Sequence, residues 1–281
     1  MARNGGLTAS LDFALGLACF ELGRYPQAVE QMQQCLAKRR QPALTPINTD
    51  ILTAAPYHCL GMSLARAGDL EGAEKAFQSG MAEKGRTEEL RLDYAKFLRE
   101  QNRPVDALHR LHELVTENPR SAAAWRLGAQ IAMSHPDFLE FANDWTTEAI
   151  KQHPEDTEIV SQRAEALLLS QQTAQARELW QTLWEQDKQP RSLAALLICE
   201  VLEDSPMTNS SAHEADLGPT SRAFIDWYRR CLAMRAQPVV AGLNERMEHL
   251  RGILPAAAGM LEAALTEARE ASPIAPEPCL A

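Results

Sequence analysis

An all-α stack of antiparallel helix pairs is the fold this sequence predicts, and three observations predict it. A small residue is followed twelve positions later by a second one at Gly16 and Ala28, Gly61 and Ala73, Ala95 and Ala107, and Ala164 and Ala176. The phrase returns about every 34 residues, and self-similarity at that period marks a solenoid of helical hairpins. Apolar residues between these points fall in steps of three and four, the spacing of a helix with one buried face. Glycine and proline punctuate the segments, glycine where a helix stops and proline where the next begins.

The elements follow in order. The first pair spans 8–38, with helices near 8–22 and 25–38 divided at Gly23 and Pro26. The second spans 55–85, as Tyr57 to Ala67 and Leu70 to Lys84, with Gly68 and Asp69 between and Gly85 ending the helix. A longer connection precedes it, because Gly16 and Gly61 are 45 residues apart. The two prolines at 41–53 predict an ordered, non-helical excursion there. The third pair spans 88–119, as Glu88 to Gln101 and Pro104 to Glu117. The fourth spans 122–154, as Ala122 to Ser134 and Phe138 to Gln152, and the fifth 157–188, as Thr157 to Gln171 and Ala174 to Asp187. Residues 191–271 read as a degenerate sixth pair, broken by a polar loop at 204–219, with capping helices after it. The segment 272–281 reads as a disordered tail.

Composition narrows the function classes. The formal charge of −10 opposes a nucleic-acid binder, whose affinity rests on a basic surface. The basic run Lys38, Arg39 and Arg40 closes a helix, where cations meet the favourable end of the macrodipole. Six cysteines lie scattered without a C-x-x-C pair, the usage of a reduced, cytoplasmic chain. The apolar stretch Leu11 to Leu22 carries Asp12 and Glu21 and reads as a helix of the stack, so an export signal is not expected. No run of 18 apolar residues occurs, so no membrane insertion is expected.

The packing phrase resembles the tetratricopeptide repeat family, whose signature sets an aromatic, Leu-Gly, Tyr, Ala, Phe, Ala and Pro at fixed offsets. The second unit carries Tyr57, Leu60, Gly61, Leu64, Gly68, Ala73, Phe77 and Gly80. The first carries Leu15, Gly16, Gly23, Tyr25, Ala28 and Cys35, the third Ala95, Ala107 and Pro119. The fourth carries Trp125, Ala142, Ala149 and Pro154, the fifth Ala164, Ala176 and Trp180. The resemblance covers roughly 8–190 and implies a right-handed superhelical solenoid that binds a protein or peptide in a concave groove.

That groove is lined in the family by the first helix of each pair. Carried over by position, its lining here is Phe13, Leu17 and Phe20 in the first unit, and His58, Met62 and Arg66 in the second. Glu89, Lys96 and Arg99 follow in the third, Arg126 and Gln130 in the fourth, and Glu158 and Glu165 in the fifth. This surface is apolar at its N-terminal end and charged toward the middle, which suits an extended peptide or a partner helix. The carboxylate grip of chaperone-binding members is not expected. Its positions hold Phe13, Leu17, Cys59, Glu89 and Asp93, and the two acids would repel a carboxylate.

Candidate chemistry is sparse, and no catalytic residue, cofactor or metal is expected. Gly80 to Thr87 is one substitution from a phosphate-binding loop, but a helix precedes it where a strand is required. His109, His112 and Glu113 share a helix face that could hold a metal, yet they sit at solvent-side offsets among Leu108, Leu111 and Leu114. His58 and Cys59 are adjacent on a helix and point about 100° apart, which rules out a nucleophile and base. The tryptophans read as packing residues, with Trp184 the best placed to be exposed.

The leading expectation is a non-catalytic interaction scaffold in a bacterial cytoplasm. An alternative is a repeat region accompanying a glycosyltransferase whose catalytic domain lies elsewhere. The phrases Asn102 to Leu108 and Phe224 to Arg230 look similar to repeat regions attached to bacterial glycosyltransferases, and the early start of the first repeat fits such a region.

Overall fold

The computed structural model describes residues 8–41, 48–170 and 172–188, with Ser192, Ala195, Leu196 and Cys199 beyond them. The expected sixth pair, the loop at 204–219, the capping helices and the tail lie outside the described residues, apart from those four positions. Among the described residues there are ten α-helices and no strand.

Two compact parts divide the chain, 1–128 and 129–281. The first holds α1 (Ala9–Glu21), α2 (Tyr25–Lys38), α3 (Ala55–Ala67), α4 (Leu70–Ala82), α5 (Glu88–Glu100) and α6 (Pro104–Glu117). Each of these helices packs on the next in chain order. The division falls inside α7 (Ala122–Met133). The second part continues with α8 (Leu139–Gln152), α9 (Thr157–Leu169) and α10 (Thr173–Asp187), where α9 packs on both α8 and α10.

Local chemistry sets the helix ends. The side chains of Thr8, Asp69, Thr87 and Asp156 accept from backbone N–H groups of the first turns of α1, α4, α5 and α9. Prolines occupy the first turns of α2, α3 and α6, where a missing N–H costs nothing. The turns inside the first three pairs each pass through a left-handed residue, Gly23 (φ 70°), Gly68 (φ 89°) and Asn102 (φ 57°). Asparagine is the non-glycine residue that tolerates this region best, so the third turn needs no glycine.

The small residues are small because a partner's large side chain fills their place. A Cβ at Gly16 would lie 2.6 Å from Met32 Cε, and one at Gly61 would lie 3.1 Å from the Phe77 ring. Ala28, Ala73, Ala95, Ala107, Ala164 and Ala176 are all fully buried. Phe77 in turn stacks on Tyr94 and meets Phe97, each at 5.3 Å between centroids, which fastens α4 to α5.

Four expectations change. The excursion before α3 is not wholly non-helical but contains a 3-10 turn, Thr49–Leu52, because Asn48 Oδ1 accepts from Asp50 N at 2.9 Å and starts a tight turn. A second such turn, Pro136–Phe138, delays α8 by one residue. Helix α4 stops at Ala82, with Glu83 extended and its carboxylate on Arg39, so Gly85 (φ 71°) belongs to the turn after the helix. Trp184 is buried (1% exposed): with Trp180 and Leu183 it forms the three-and-four-spaced buried face of α10, and Lys188 Nζ stands 5.0 Å over its ring.

Candidate partner-binding surface

Within the first part, α1 packs on α3 and α3 on α5, so the first helices of three successive pairs lie side by side. On α1, Leu17 is 41% exposed and Phe20 half-buried, its ring edge-on to Tyr25 at 5.8 Å. Phe13 does not join them. It is 5% exposed, on the same buried flank of α1 as Asp12 and Gly16, and this corrects its assignment to an open surface. On α3, His58 and Met62 are half-buried and Arg66 is exposed. On α5, Glu89, Lys96 and Arg99 are exposed.

One network crosses this surface. His58 Nε2 donates to Asp93 Oδ2 and Lys96 Nζ donates to Asp93 Oδ1, each at 2.9 Å. Burial by itself would push the Asp93 carboxyl up, but the hydrogen bonds from His58 and Lys96 and the lysine charge outweigh it, and the net shift is downward. Asp93 is thus a compensated anion that ties α3 to α5. Its charge is not the free repulsive one read from sequence, although Phe13 and Cys59 are buried and still leave no carboxylate grip.

Arg126 is half-buried on the portion of α7 in the first part. In the second part, Gln130 is exposed, Glu158 half-buried, and Glu165 buried (6% exposed). Glu165 sits in the run Ile159 to Leu168 of α9, where all but Arg163 are buried, so helix position alone gave it an openness it lacks. Its assignment is corrected with that of Phe13.

Other candidate chemistry resolves simply. His109 and His112 are exposed, with His109 Nδ1 3.6 Å from Glu113 Oε1, while Leu108, Leu111 and Leu114 are buried. Among the described residues, no three His, Cys, Asp or Glu side chains gather as metal ligands. None of the described helices is long and apolar enough to cross a membrane. A Cβ at Gly80 would lie 3.2 Å from Tyr57 Cβ and 3.3 Å from Leu90 Cδ2, so it is a packing glycine.

The basic run holds what sequence reasoning missed. Arg39 is buried, donates from Nη1 to Thr53 O (3.2 Å) and Ile51 O (3.4 Å), and from Nη2 to Glu83. Its guanidinium also covers the Tyr57 ring at 4.9 Å. Lys38 Nζ reaches the buried Asp12 at 2.9 Å. The signal was present: a buried-face spacing of 28, 32, 35 and 39 continues the α2 stripe onto Arg39.

Residues 64–131 match the model of the tetratricopeptide repeat family. No curated protein matches the chain in sequence. Similar solved structures include a tetratricopeptide repeat protein from Parabacteroides merdae ATCC 43184, with TM-score 0.56 and 13% identity over 94% of this chain and 98% of that one. Pseudomonas aeruginosa pilF gives TM-score 0.51 and 17% identity over 74% of this chain and 90% of that one. The 41-end segment of MamA from Desulfovibrio magneticus RS-1 gives 0.50 and 17% over 65% and 97%. At such identities the likeness is one of fold. With its repeats matched at 64–131 and its helix pairs stacked in the same way, the chain is a tetratricopeptide repeat protein.

Proposed function

We propose that the chain is a non-catalytic scaffold, and that the side-by-side surface of α1, α3 and α5 holds an extended peptide or a partner helix. The observation that carries this is the packing of those three helices with Leu17, Arg66, Lys96 and Arg99 exposed on them and Phe20 and Met62 half-open between. Apolar and charged side chains together on one surface suit an amphipathic segment laid along it. The division into five pairs at 8–38, 55–85, 88–119, 122–154 and 157–188 belongs to the same proposal, as does the extension of the surface to Arg126. Buried, unreactive thiols at Cys35 and Cys59 support a reducing compartment such as the cytoplasm.

The test is affinity capture with mass spectrometry, comparing the intact chain with Arg66→Glu plus Arg99→Glu. Both positions are exposed, so circular dichroism is expected unchanged. Loss of the recovered partner supports the surface, and equal recovery counts against it. The glycosyltransferase alternative gains nothing from the structure. The phrase Asn102 to Leu108 is accounted for as the α5–α6 turn, with Asn102 left-handed, Pro104 opening α6, and Arg103 Nε on Asp106 at 2.7 Å. Phe224 to Arg230 lies outside the described residues.

A further inference from the structure

Position 91 stands 34 residues after Tyr57 and 34 before Trp125, so the repeat puts Arg91 where the neighbouring units carry an aromatic ring. Arg91 is as deeply buried as that ring, 6% exposed against 7% for Trp125. A guanidinium at a packing position is costly unless its donors are used. Here they are used only in part. Nη1 donates to Glu117 Oε2 at 2.7 Å, while Nε is buried without an acceptor. The carboxylate it does meet is loosely held, for the Glu117 side chain is 53% exposed and also lies 3.8 Å from Arg86.

Beside Arg91 a cleft of about 400 Å³ opens among α4, α5 and α6. Arg86, Arg91 and Arg110 line it against Glu113 and Glu117, an excess of cations in a chain whose net charge is −10. Arg110 is occupied by Glu113 at 3.0 Å and stands 6.0 Å over the Tyr94 ring. Met81, Ala82 and Tyr94 give the cleft an apolar wall.

We propose that this cleft is a docking site for an acidic peptide of a partner protein, one aspartate or glutamate seated on Arg91 and Arg110 with a neighbouring apolar residue against Met81. The cleft has room for several side-chain groups, far more than a lone anion fills, and its apolar wall would be idle against a bare ion. The incoming carboxylate takes the Nη1 donor of Arg91 that Glu117 uses. Glu117, already half in water, returns there at little cost. The site lies on the flank of α5 that carries Arg91 and Tyr94, not on the flank of Glu89, Lys96 and Arg99, so it does not rest on the surface proposed above.

Fluorescence anisotropy with the full chain tests it, using a fluorescein-labelled hexapeptide of alternating glutamate and leucine. Arg86→Gln and Arg110→Gln, at half-exposed positions, are each expected to weaken binding about fivefold or more with the helical content intact. Glu117→Gln removes the internal competitor and is expected to tighten binding about threefold, an opposite sign that a purely structural ion pair would not give. The glutamine–leucine hexapeptide is expected to bind at least about tenfold more weakly. The proposal is overturned if the acidic peptide does not bind, if both arginine variants bind it as the parent does, or if Glu117→Gln weakens it. Displacement of the peptide by an equal concentration of inorganic phosphate would overturn it in favour of a free-anion site. Loss of the peptide in Arg66→Glu plus Arg99→Glu, with Arg86→Gln and Arg110→Gln unaffected, would place it on the other surface.

Discussion

Three acceptors from two distant segments meet at the Arg39 guanidinium: the carbonyls of Ile51 and Thr53 and the carboxylate of Glu83. Arg39→Met leaves all three without their donor, and a loss of about 2–4 kcal/mol is expected in urea unfolding. Arg39→Lys is expected to recover less than half of it, because an ammonium cannot reproduce the planar fork. The buried thiols give a second prediction. Burial, then the Asp12 charge, pushes Cys35 from 9.0 to about 11, and burial pushes Cys59 to about 11. Neither thiol is expected to react with a disulfide reagent at neutral pH until urea unfolds the chain. Between pH 9 and 11 the unfolded chain releases protons that the folded one keeps, so stability is expected to fall as pH rises through that window. Asp93 has the opposite sign. Its depressed carboxyl contributes stability above the ordinary carboxylate range, and this is lost as pH falls through the folded value. Asp93→Asn is expected to flatten that acid limb in a pH series of thermal melts.

At the scale of a helix pair, the fit of small against large residues decides the outcome. Gly61→Leu must displace the Phe77 ring, which is itself held between Tyr94 and Phe97, and a cost of about 1–3 kcal/mol is expected. Asn102→Gly is expected to be neutral or slightly stabilising, whereas Asn102→Ala costs about 1 kcal/mol through its left-handed backbone. The helices and their ends were legible because caps, prolines and turn residues act within a few positions of themselves. The pairing of Gly16 with Ala28 and of Gly61 with Ala73 was legible for a related reason: it repeats at fixed spacing. The structure supplied Met32 and Phe77 as the side chains that fill the space at the two glycines. The stripe at 28, 32 and 35 signals that Arg39 is buried but not what it meets, since its acceptors come from 12 to 44 residues away and their approach depends on the excursion before α3. Phe13, Glu165 and Trp184 escaped similarly, because helix phase gives a direction and not the neighbours found there. For the candidate surface, sequence supplied the helices and most exposed side chains, and the structure supplied the Asp93 bridge.

For the whole molecule, the order of packing in 1–128 is that of the chain, so each helix leans mainly on those before and after it. Stability in such an array is a sum of unit and nearest-neighbour contributions. Ala73→Leu is therefore expected to raise amide exchange most in α3 and α4, less in α2 and α5, and least in α1 and α6, as followed by mass spectrometry. Uniform loss across all six would mean one cooperative block. The excursion between α2 and α3 breaks the period, yet its residues from Asn48 onward are tied twice to the first pair. Asn48 N donates to Ser10 Oγ at 3.0 Å, and Ile51 and Thr53 are gripped by Arg39. Such a double fastening holds the start of the second pair against the first through side chains, over and above the chain that joins them.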